Sequence, residues 1–140
     1  MSWLSRFLSR PPPEPPASTA PFSPDAKSKV RPGPLRLTSL NLDMFLREHP
    51  WAVVDVWAPW CGPCRALAPA FLAASHRWGD RVGFGKLHTD HEPSLVQRFG
   101  DRSIPSLLFF QEGRLVRTEV GALTSDELLR HLKRTFRILR

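Results

Sequence analysis

Trp60-Cys61-Gly62-Pro63-Cys64 stands one residue beyond the run Ala52-Val53-Val54-Asp55-Val56-Trp57-Ala58, and the architecture follows from how these two pieces join. The run is apolar apart from Asp55 and reads as a buried strand. Pro63 suits the first turn of a following helix, where its fixed φ fits and its missing N–H costs nothing. Cys61 then falls at the helix N-cap, where unpaired N–H groups and the helix dipole favour a thiolate. Its sulfur is expected to be acidic and accessible, with Cys64 one turn inside and shielded. These are the only two cysteines, and two residues separate them. Such a pair at a strand-to-helix junction reads as a redox dithiol. An ordinary thiol with a pKa of about 8.5 is only about 3% ionised at pH 7, and lowering the pKa to about 7 makes roughly half of it nucleophilic. The competing readings are two structural cysteines or half of a zinc site. Zinc takes about four ligands, no second Cys-x-x-Cys exists, and His49, His76, His88, His91 and His131 show no ligand spacing. The redox reading is preferred, with no metal.

At 140 residues the chain holds one domain with a modest core. Its net charge of +7 raises nucleic acid or an acidic membrane as partners. Residues 35–140, however, hold 15 Lys/Arg against 11 Asp/Glu, spread along the segment. No nucleic-acid motif accompanies the charge, so a solvated surface is the better account. No apolar run approaches the roughly 18 residues that span a bilayer.

Residues 1–10 sort on a helical wheel into Trp3, Leu4, Phe7 and Leu8 on one face and serines with Arg6 and Arg10 on the other. A helix that short needs a membrane surface or a partner to form. The segment lacks the apolar centre of a secretory signal but is Arg/Ser-rich and acid-poor. It reads as an organellar address, a weak interfacial anchor or a tail without structure. Residues 11–34 hold nine of the fifteen prolines and read as a disordered spacer of polyproline character, reaching roughly 70 Å when extended. The folded domain is expected over 35–140.

Within it, Arg36-Leu37-Thr38 reads as an edge strand, and Ser39 as the N-cap of a helix carrying Leu42, Phe45 and Leu46. A strand at 52–58 leads into a helix over 63–78, with Leu67, Phe71 and Leu72 facing inward and Pro69 kinking it. A strand at 82–89 carries Lys86, and a short helix follows over 93–99. Strands at 107–111 and 115–120 flank a Glu112-Gly113 turn. Thr124 caps a last helix, 125–136, in a capping box with Glu127. The order β-α-β-α-β-α-β-β-α predicts an α/β sandwich, a mixed sheet with helices on both faces.

With these elements in place, residues 36–140 resemble a thioredoxin along their whole length. The resemblance rests on Val54 through Cys64, with its Cys-Gly-Pro-Cys tetrapeptide, and on Ala68-Pro69. It extends to Lys86-Leu87, Asp90, Ile104-Pro105-Ser106, Gly113 and Val120-Gly121-Ala122. The thioredoxin fold is therefore implied. So is a general protein-disulfide reductase in which Cys61 attacks a client disulfide and Cys64 resolves the mixed disulfide, leaving a Cys61–Cys64 disulfide. Asp55 is implied to exchange a proton with Cys64, with Lys86 as its charge partner, since desolvation should raise a buried carboxyl's pKa. Pro105 is expected to be cis. Trp60, Ile104, Pro105, Gly121 and Ala122 would form the docking surface, with Ile104 pairing an extended client as an added strand. Trp57 is expected to be core beneath the site.

Gly62, Pro63 and Pro105 are implied to tune the redox pair, Gly62-Pro63 toward reduction, and the histidine that oxidising relatives carry beside the second cysteine is absent. A potential near thioredoxin's own −270 mV, roughly, is implied. The resemblance further implies electron transport without a bound cofactor, disulfide-containing client proteins, an NADPH-dependent thioredoxin reductase as donor, and a monomer. It implies a role in cell redox homeostasis in the cytoplasm, with the mitochondrial matrix or a membrane surface as alternatives set by residues 1–10. A non-enzymatic binding subunit or chaperone using the same surface is the other alternative. Pro59, Ser106 and His88 depart from the family pattern, where a polar residue, a threonine and a smaller polar residue are common.

Overall fold

The computed structural model describes residues 33–100 and 103–137. Residues 1–10 and all of the Pro-rich stretch before Gly33 lie outside them. The elements run β1 (Leu35–Arg36), α1 (Leu42–Glu48), β2 (Trp51–Trp57), α2 (Gly62–Trp78), β3 (Gly83–His88), α3 (Pro93–Arg98), β4 (Ser106–Gln111), β5 (Arg114–Val120) and α4 (Ser125–Thr135). The sheet has the order β1-β3-β2-β4-β5. β3 is parallel to both β1 and β2, while β4 is antiparallel to both β2 and β5. This is the mixed α/β sandwich the sequence predicts.

Strand periodicity divides the core in two. Ala52, Val54 and Val56 of β2 pack with Leu42, Phe45 and Leu46 of α1 and Leu95 of α3. Val53, on the opposite face, packs with Leu67 and Phe71 of α2 and Leu128 and Leu132 of α4. Being covered on both faces, β2 has to be apolar throughout. Asp55 is the exception, and it is fully buried.

Three expectations need correction. The edge strand is two residues, Leu35–Arg36, and Leu37 beyond it drops into the core at 1% exposure while its N–H still reaches Lys86 O. α1 starts at Leu42 rather than after Ser39. Thr38 O accepts from the N–H groups of Asn41 and Leu42, and the Asn41 side chain bridges Thr38 N and Arg36 O, so a turn occupies 38–41. Leu72 is exposed, not inward. The buried stripe of α2 is Cys64, Leu67, Phe71 and Ser75, spaced by three or four, and one residue further turns a side chain by about 100° away from it. Pro69 lies inside α2, as expected. The capping box of α4 is formed, with Thr124 N–H on Glu127 Oε2 and Glu127 N–H on Thr124 Oγ1. These bonds to Thr124 hold the Glu127 carboxyl below its usual pKa.

Candidate active site

β2 ends at Trp57 and α2 begins at Gly62, so the chain turns through Ala58–Cys61 at the end of the sheet. Cys61 is the N-cap of α2, in extended conformation. Its N–H bonds Ala58 O at 3.2 Å, and its sulfur accepts the Cys64 N–H at 3.2 Å. That bond is the electrostatic device anticipated for this position: a helix-terminal N–H aimed at the sulfur favours negative charge there. Cys61 and Cys64 are joined as a disulfide, their Cα atoms 5.3 Å apart. Ala58, Trp57 and Ile104 pack around the pair. Cys61 is therefore 5% exposed, less open than its place at a helix end suggested, and Cys64 is 2% exposed.

Asp55 lies on the α2-facing side of β2, two residues before Trp57. Its register partners are Lys86 on β3 and Leu107 on β4. Lys86 Nζ approaches Asp55 Oδ2 at 3.8 Å and stands 4.4 Å from the Trp57 ring centroid. Neither carboxylate oxygen has a hydrogen-bond partner among the described residues. Desolvation dominates and pushes the pKa up to about 6, with the Lys86 charge pulling the other way. A carboxyl so placed changes charge near physiological pH, which suits it to hold or release a proton.

The Ile104–Pro105 peptide bond is cis, as expected. Ile104 touches the dithiol cluster. Pro105 O accepts the Gly121 N–H at 2.8 Å, which ties the segment before β4 to the end of β5. Gly121 has φ +106°, a conformation that favours glycine. Ala122 is exposed, and Trp60 is 67% exposed beside Cys61. Gly62 and Pro63 form the exposed first turn of α2. Gly121 thus joins Pro105 through a bond, while Trp60 and Ala122 flank the same end of the sheet.

Two residues that the sequence reading used only lightly also belong here. Asp90 Oδ2 accepts the Trp60 indole N–H at 2.9 Å. His88 meets Trp57 edge-on, ring centroids 5.0 Å apart. Neither partnership leaves a periodic signal, since both depend on which turns meet at the sheet end. Among the described residues, no group of three or more His, Cys, Asp or Glu is placed to hold a metal ion, and no helix is long and apolar enough to cross a membrane.

A model of the thioredoxin family matches residues 34–134. A thioredoxin from Griffithsia pacifica is 38% identical over 102 residues, covering 70% of this chain and 93% of that one. One from Synechocystis sp. is 42% identical over 96 residues, 69% of this chain and 89% of that one. Among solved structures, a thioredoxin from Malassezia sympodialis superposes with a TM-score of 0.67 at 30% identity, over 75% of this chain and 93% of that one. With a helix-capping cysteine, a partner one turn on and a cis-proline segment against both, the match makes this chain a member of the thioredoxin family, a thiol–disulfide oxidoreductase that exchanges disulfides through Cys61 and Cys64 without a bound cofactor.

Proposed function

We propose that the chain is a general protein-disulfide reductase in which each site residue has one role. The Cys61 thiolate attacks a client disulfide, forms a mixed disulfide and releases one client thiolate. Cys64, its proton passed to Asp55, attacks the Cys61 sulfur and expels the second client thiolate. Two electrons have then moved to the client, and the Cys61–Cys64 disulfide remains. Lys86 limits how far burial raises Asp55. Trp60, Ile104, Pro105, Gly121 and Ala122 receive the client, with Ile104 pairing its extended backbone.

The observation that carries this reading is the Cys64 N–H on the Cys61 sulfur at the N-cap of α2. It supports Cys61 as the better nucleophile. Gly62-Pro63, without a neighbouring histidine, supports the reducing direction. The reading has an NADPH-dependent thioredoxin reductase returning the pair to the dithiol and the protein acting as a monomer. It places the protein in the cytoplasm, where thiols are kept reduced. The activity resides in the domain of 35–140, with residues 11–34 as a spacer.

The test is insulin reduction driven by dithiothreitol. The wild type and a variant lacking residues 1–34 should turn over alike, and Cys61→Ser should be inactive. Cys64→Ser should accumulate covalent client adducts that thiols release. Normal turnover by Cys61→Ser would end this assignment.

A further inference from the structure

His88 ends β3, and the next residues turn back on it. The backbone N–H groups of Asp90 and His91 both point at His88 Nδ1, at 3.2 and 3.3 Å. A backbone N–H can only donate, so that nitrogen must be unprotonated to accept. The same turn carries the Asp90 carboxylate, which holds the Trp60 indole N–H at 2.9 Å and receives Thr89 Oγ1 on its other oxygen. Trp60 is the most exposed aromatic residue of the described chain and adjoins Cys61. A path of contacts thus leads from one imidazole nitrogen to the indole beside the nucleophile.

The surroundings fix the ring. Trp57 meets it edge-on from β2, and His91 stacks on it with centroids 3.8 Å apart and planes 7° from parallel. Among the described residues, the charged and titratable groups that these contacts bring near are Asp90 and His91 of the turn, Lys86 against the Trp57 ring, Arg36 of β1 and Glu92 before α3. Arg36 Nη2 donates to His91 Nδ1 at 2.8 Å, so the stacked partner is also held through an unprotonated nitrogen. Glu92 Oε2 accepts the Ser39 N–H, and Glu92 N–H bonds His88 O.

We propose that His88 is a positioning residue for client docking: its unprotonated Nδ1 holds the Thr89–His91 turn so that Asp90 can fix Trp60, and protonation of the ring loosens that grip. The proposal rests on the reductase reading and adds to it a residue that acts on docking rather than on sulfur chemistry. Protonated Nδ1 carries a hydrogen that faces two backbone N–H groups, and donors cannot satisfy one another. The turn is held while Nδ1 is free to accept and released when it carries a proton.

His88→Asn provides the separating variant, because an asparagine oxygen can accept from the backbone two and three residues on and does not titrate. Insulin kinetics of the full-length wild type and His88→Asn are compared at about pH 7.5 and about pH 5.5. Taking the ratio between the two proteins removes the titration of the cysteines and Asp55, which both share. The KM ratio should be near one at the higher pH and rise to roughly three at the lower, the size of one hydrogen bond, while the kcat ratio stays level. In the oxidised protein, the displacement of the Trp60 indole N–H resonance between the two pH values should be larger in the wild type and in His91→Gln than in His88→Asn, which keeps only the part due to groups all three share, such as Asp55. A KM ratio that does not change with pH overturns the proposal. So does an indole displacement as large in His88→Asn as in the wild type, or one that falls to the His88→Asn level in His91→Gln. Absence of insulin reduction by the wild type at the higher pH would instead defeat the reductase reading, and the resonance titration would still decide the role of His88.

Discussion

Asp55 shows how one residue can oppose stability while serving chemistry. Its carboxyl is buried, has no hydrogen-bond partner among the described residues, and faces Lys86 across 3.8 Å. Its folded-state pKa of about 6 lies above the ordinary 3.8, so between these values the folded chain binds more protons than the unfolded one. Stability contributed by the neutral carboxyl is fully present below about pH 4 and declines as pH rises toward 6. Asp55→Asn should therefore stabilise the protein by about 3 kcal/mol at pH 7 and have little effect near pH 4. Urea unfolding at the two pH values measures this, and equal effects at both would mean that ionisation is not the source of the cost. The same variant should reduce insulin more slowly if Cys64 passes its proton to Asp55. This residue was legible because a lone acid inside an apolar strand has no structural reason to be there. His88 and Asp90 were not, because the bonds that matter run through a turn to backbone N–H groups and to an indole thirty residues away in sequence.

Among the elements, the β4–β5 hairpin and β3 carry backbone demands that side-chain patterns show unevenly. The turn residues Glu112 and Gly113 have φ of 50° and 76°, as a two-residue I′ hairpin loop requires. Glycine adopts this freely, but glutamate does not. Glu112→Asn should add about 0.5–1 kcal/mol, because the exposed side chain contributes no packing and the bond from Glu112 N–H to Pro50 O is retained. Thermal melts would check it. In β3, a Cβ on Gly85 would lie 2.5 Å from Leu37 Cδ1 and 2.9 Å from its Cγ. Gly85→Ala should cost about 1–3 kcal/mol by forcing Leu37 and Phe45 off the sheet, measured by the same melts. The hairpin was readable from Glu-Gly between two apolar runs. Gly85 was silent, since nothing local announces that Leu37, far back in sequence, needs the space. Helix identity was equally readable, but the start of α1 depended on an Asn41 side chain that bridges the chain before it, and Leu72 on a one-residue rotation about α2.

Over the whole molecule, the parallel β1-β3-β2 half and the antiparallel β2-β4-β5 half meet at the strand that delivers the dithiol. The helix before Pro69, the β3 end and the cis-proline segment thereby converge on one end of the sheet. Element order alone pointed to this architecture, because alternating β and α segments followed by a hairpin leave few ways to cover both faces. The cis bond and the docking segment were legible only through the family resemblance.

The sheet order also leaves β5 as an outer strand, seven residues long, with one row of backbone groups unpaired by the sheet. Such a row is a template onto which another chain can polymerise. Here the register slips between Phe109 and Phe110, which leaves Val116 without a counterpart, and Arg114, Arg117 and Glu119 punctuate the rest. A kinked, charged margin of this kind resists stacking of copies into fibrils. Replacing Arg117 and Glu119 together with valine should make light scattering grow with protein concentration while the freshly folded enzyme still reduces insulin. Clear solutions at every concentration would show that the kink suffices without the charges.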